Sequence, residues 1–115
     1  MLTYAVVVFA IAALGGLLLA SYVLQGRLAP WAVSLLHAAL GAIGLLLVIY
    51  AAIATGISHA AVIALIILAV AALGGFYLAS IHLREQVAPR QIVFVHAGVA
   101  VIGFLTLLGV VVRVL

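Results

Sequence analysis

The sequence contains no cysteine and no lysine, and its only acidic residue is Glu85. Without cysteine, disulfides, thiolate metal sites, iron–sulfur clusters and thiol catalysis are excluded. The single carboxylate side chain falls in a loop, whereas proton- and cation-coupled carriers usually need carboxylates embedded in the membrane. No catalytic nucleophile and no acid–base pair is visible, so the chain is not expected to be an enzyme on its own. Charged residues make up 4% of its 115 positions, against about 25% in globular proteins. That is too little to cover a water-soluble surface. The net charge of +3 reports membrane orientation rather than a nucleic-acid footprint.

What is present is apolar: 72% of the residues are hydrophobic. Four apolar runs, near Thr3–Leu24, Ala32–Ala54, Ala60–Leu83 and Gln91–Val112, each reach the length of about 20 residues that crosses a bilayer. The breaks between them are QGRLAP, TGISH and REQVAPR. Pro30 and Pro89 stand where proline starts a helix well. The first run lacks the basic flank of a signal peptide and belongs to a repeat, so it is expected to be retained. Arg27, Arg84 and Arg90 fall in the first and third loops, with only Arg113 opposing them. The positive-inside rule then predicts cytoplasmic arginine loops and both termini outside.

The chain matches itself at an offset of 59 residues. AALGGLLLASYVL from Ala12 faces AALGGFYLASIHL from Ala71, and LAP at Leu28 faces VAP at Val87. His37-Ala38 faces His96-Ala97, and Ile43-Gly44 faces Ile102-Gly103. The expected fold is therefore an all-α integral membrane bundle of four transmembrane helices. It forms one membrane domain over residues 1–115, built from tandem helical hairpins near 3–54 and 60–112. An even number of spans per copy keeps the copies in one orientation, so the pseudo-two-fold axis runs along the membrane normal. Ala12, Gly16 and Ala20, with Ala71, Gly75 and Ala79, form small-residue faces that allow close helix approach.

His37 and His96 each follow a proline by seven residues. At the helical rise, both lie roughly 10 Å in from the arginine loops, at equal depth, and face each other across the axis. Gly41 and Gly44 follow His37 on its helical face, as Ala100 and Gly103 follow His96. Each imidazole thus borders a nearly bare strip, suited to a flat ligand. One haem b, ligated axially by His37 and His96, fits this pattern. Gly16 and Gly75, roughly 13 Å deep, are expected to admit the ring edges. Arg27, Arg84 and Arg90 are expected to anchor the propionates. The alternatives for the histidines are hydrogen bonds to neighbouring helices, another metal, or a quinone. His59 has no counterpart and reads as interfacial. His82, opposite Val23 in the repeat, is a candidate for contact with a propionate.

The pattern AALGG…LAS…AP…LHAALGAIGLLL resembles small uncharacterised bacterial inner-membrane proteins with two or four spans, a resemblance that implies no established function. A bundle carrying His37 opposite His96 is similar in plan to membrane b-type cytochromes. Those often carry two ligand pairs on different levels; the single pair here implies one haem. The architecture implies a small b-type cytochrome, or a haem-binding electron-transfer subunit of a larger redox membrane complex, exchanging electrons with quinone. The alternative is a non-catalytic accessory subunit that packs against a larger membrane complex and binds lipid or pigment. In either case the lipid bilayer is a partner.

Overall fold

A segment that crosses hydrocarbon must satisfy every backbone N–H and C=O within itself or a closed sheet, and an α-helix does so. The computed structural model describes residues 1–115 and contains four helices: α1 (Leu2–Leu24), α2 (Trp31–Ala54), α3 (His59–Leu83) and α4 (Arg90–Val111). Every helix end lies within one residue of the apolar run marked in the sequence. All four are long and apolar enough to span a membrane.

The turns explain where the helices stop. At the end of α1 the Arg27 N–H donates to the Tyr22 carbonyl (2.9 Å), and at the end of α3 the Gln86 N–H donates to the Ile81 carbonyl (3.2 Å). This pattern requires a left-handed residue just before it, supplied by Gly26 (φ 69°) and by Glu85 (φ 58°). Pro30 and Pro89 then cap α2 and α4 with extended backbone, since proline fixes φ and offers no N–H. Ser58 Oγ accepts from the Ala61 N–H at 3.2 Å and caps α3.

Close packing joins α1 to α2 and α3 to α4, and the two hairpins meet along α1–α4 and α2–α3. The backbones of the diagonal pairs α1–α3 and α2–α4 do not approach closely. Equivalent helices thus occupy opposite corners, as a two-fold axis along the bundle demands. The bundle measures 42 × 21 × 19 Å, and its long dimension exceeds a hydrocarbon core of about 30 Å.

The packed core lies towards the end away from the arginine loops, and it obeys the repeat. Val48 and Leu107 are fully buried, as are Ala5 and Ala64. Phe9 and Leu68 complete the same cluster. Each of these pairs is separated by 59 positions. No polar residue is buried, and large aliphatic side chains cover the outside of all four helices. That surface is suited to lipid tails, against which helices associate by close packing rather than by the hydrophobic effect.

Candidate functional site

The site begins with two places where a helix has no side chain. Gly16 on α1 receives the imidazole of His37 from α2; a Cβ at Gly16 would stand 2.9 Å from His37 Cε1. Gly75 on α3 receives His96 from α4 in the same way, at 3.3 Å. The close approach lets His37 Nδ1 reach the Ala12 carbonyl at 2.8 Å, and His96 Nδ1 reach the Ala71 carbonyl at 2.8 Å. A carbonyl only accepts, so each Nδ1 carries the proton and donates, and each Nε2 keeps its lone pair. Neither Nε2 has a hydrogen-bond partner in the protein, and neither is enclosed by it. Each histidine thus makes the hydrogen bond to a neighbouring helix that is one of the alternatives for it, and the bond leaves Nε2 available as it is in imidazoles that bind a metal.

Across the axis the two imidazole rings have centres 6.3 Å apart and planes inclined at 82°. Two imidazoles on opposite sides of one metal ion have ring centres about 6.3 Å apart, taking a metal–nitrogen bond of about 2.0–2.1 Å and about 1.1 Å from nitrogen to ring centre. The measured spacing fits that value. Ring perpendicularity is compatible with it, since rotation about the bond axis leaves the spacing unchanged.

Both histidines line a cavity of about 500 Å³ to which all four helices contribute. It runs from Phe9 and Leu68 to Arg27 and Gln86 at the loop end. Its 34 lining residues form seventeen pairs, each separated by 59 positions. The cavity therefore lies on the pseudo-two-fold axis. Its size falls within the range of small-molecule sites, about 300–1,000 Å³.

The residues marked in the sequence are divided by the structure. His37, His96, Gly16, Gly75, Gly41, Ala100 and Arg27 line the cavity together. Gly44 and Gly103 do not. A Cβ at Gly44 would lie 2.7 Å from the Phe9 ring, and one at Gly103 would lie 2.8 Å from Leu68. Their bareness is used by a side chain of the adjoining helix, so these glycines serve packing within each hairpin. Gly16 and Gly75 seat the imidazoles. Of the three loop arginines only Arg27 reaches the cavity. Arg84 donates from Nε to the Ser80 carbonyl (3.3 Å), and Arg90 from Nη2 to the Leu24 carbonyl (2.9 Å).

His59 is exposed as the first residue of α3 and stands clear of the cavity. His82 does line it: its ring stacks on Trp31 with centres 3.9 Å apart, and its Nδ1 lies 3.3 Å from Ser34 Oγ. The carbonyls of Ala12 and Ala71, together with Ser34, Trp31 and Gln86, went unmarked in the sequence. A signal for the two carbonyls was present in the repeated AALGG, but it names no acceptor. Comparison with protein-family models, curated proteins and solved structures gives no match.

Proposed function

We propose that the protein is a small b-type cytochrome of the bacterial inner membrane, in which His37 and His96 hold one haem b between α2 and α4. One observation carries this reading. Two imidazoles from diagonal helices, each tied at Nδ1 to a carbonyl, line one cavity with ring centres 6.3 Å apart, and each neutral ring has an Nε2 lone pair that the protein does not use. Lone pairs on both sides call for an electrophile between them. An oxidised quinone offers only acceptors and does not suit two acceptor nitrogens, so a quinone site here would hold only the quinol. A bare structural metal needs more protein ligands, and no group of three or more His, Asp or Glu side chains occurs. A porphyrin would bring four nitrogens of its own, and His37 and His96 would be the residues to hold its iron.

Bound there, the haem supplies a one-electron redox couple. The chain's own residues orient the imidazoles and exclude water with an apolar lining. Electron transfer, either as a free protein or as a subunit of a redox complex that meets quinone in the bilayer, is the activity this supports. The arginine loops are placed in the cytoplasm by the positive-inside rule, with both termini outside.

Absorption spectra of the oxidised and reduced protein, purified from haem-replete cells, test the reading. A low-spin, bis-imidazole spectrum is expected. His37→Ala and His96→Ala are each expected to weaken or abolish haem binding. If both variants keep the wild-type haem spectrum, the ligand assignment is wrong. A colourless wild-type protein would favour an accessory subunit instead.

A further inference from the structure

At the loop end the two halves part chemically. Where α2 meets α3, the cavity wall carries Ser34 and His82; where α4 meets α1, the equivalent positions are Val93 and Val23. Arg27 likewise has Gln86 as its counterpart. Valines at one seam show that packing alone does not call for a histidine and a serine at the other. His82 is also held in place: Trp31 stacks on its ring (3.9 Å between centres, planes 7° apart), and Ser34 Oγ lies 3.3 Å from its Nδ1. The Arg27 guanidinium is steadied 5.2 Å above the Tyr22 ring. No carboxylate lines the cavity.

We infer that this end of the cavity is a two-sided carboxylate rim, with Arg27 on the α1 side and His82, Ser34 and Gln86 on the other, that selects a planar ligand bearing two ionised acid groups. The inference rests on the haem reading for the identity of that ligand, whose two propionates are the acids concerned. Arg27 and Gln86 can each donate hydrogen bonds, the mutually bonded Ser34–His82 pair keeps one further donor, and Arg27 adds a permanent charge. Diagonal placement of α1 and α3 sets the two sides across the axis from each other, as a ligand with two acid arms requires. The rim also fixes which edge of the ligand faces the loops: the acid edge meets donors here, whereas the opposite end of the cavity offers Phe9 and Leu68.

The test is titration of the full-length apoprotein in detergent with haem b and with its dimethyl ester, which keeps the iron and ring but blocks both acids. Wild type is compared with Arg27→Gln and with the double variant Ser34→Val/His82→Val. These substitutions install the residues that the other half already carries, so the fold has a precedent for each. Detergent partition of each porphyrin is common to all proteins, so changes in the ratio of affinities are what count. Wild type is expected to prefer the acid form by roughly tenfold or more, and each variant to shrink that preference by roughly three- to tenfold. Both porphyrins should give bis-imidazole spectra throughout. If the acid and its ester bind wild type equally with those spectra, the rim is overturned while the axial assignment stands. Equal loss of both porphyrins in the variants also overturns it, because the residues then act through packing. If neither porphyrin gives a bis-imidazole spectrum with wild type, the haem reading falls, and the rim with it.

Discussion

Gly16 and Gly75 occupy equivalent positions, yet they leave different clearances of 2.9 Å and 3.3 Å to the imidazoles they seat. An added methyl at Gly16 must push the His37 ring away, and the 2.8 Å bond to the Ala12 carbonyl holds that ring in place. Gly16→Ala is therefore expected to lower haem occupancy more than Gly75→Ala does, measured as haem per protein after purification. A second pair of equivalent residues makes the opposite kind of test. Glu85 adopts the left-handed conformation that Gly26 adopts in the first half. An L-residue with a Cβ loses about 1–2 kcal/mol there, partly offset by the greater freedom that glycine loses on folding. Glu85→Gly should raise stability by about 0.5–1 kcal/mol, read as a higher midpoint of thermal unfolding in detergent, with the absorption spectrum unchanged.

Between helices, the glycines further along α2 and α4 matter for another reason. Phe9 fills the space over Gly44, and Leu68 fills the space over Gly103. Gly44→Ala is expected to destabilise the first hairpin by about 1–3 kcal/mol through overpacking. Adding Phe9→Leu, the residue at the equivalent position of α3, should restore part of that loss. A thermal-denaturation series on the two single variants and the double variant measures the coupling. These glycines mark the limit of what the sequence reveals. The spacing His37–Gly41–Gly44 establishes that three positions share a face, and the structure agrees. It does not say which neighbour covers each one. Gly41 opens on the cavity while Gly44, less than one turn away, is closed by Phe9. The histidines were legible because a proline at a fixed distance sets their depth and the repeat sets their symmetry. The loop arginines were less so, because a long side chain near a helix end can turn towards any of several carbonyls, as Arg84 and Arg90 do.

For the whole molecule, the 59-residue offset was readable as a duplication, and helix packing follows it: two tight hairpins joined along α1–α4 and α2–α3. Each hairpin brings one imidazole together with the carbonyl that orients it. Hairpins of residues 1–56 and 57–115 expressed together as separate chains are therefore expected to assemble and give the bis-imidazole spectrum. The second hairpin paired with a His37→Ala first hairpin is expected not to give it.

The histidine layer lies near the arginine loops, while Val48, Leu107, Ala5 and Ala64 pack fully buried in the opposite half. An electron on the proposed haem would have its shorter path at the arginine-loop face, so exchange with partners at that face would run along the membrane rather than through it. A charge that crosses the whole bilayer exchanges about 2.3 kcal/mol with each 100 mV of transmembrane voltage, and one that enters and leaves on the same side exchanges almost none. While it rests on the proposed haem, roughly 10 Å into a core of about 30 Å, the electron feels about a third of that voltage, so the haem potential read against a donor and an acceptor on the arginine-loop side of vesicles is expected to shift by about a third of the applied voltage.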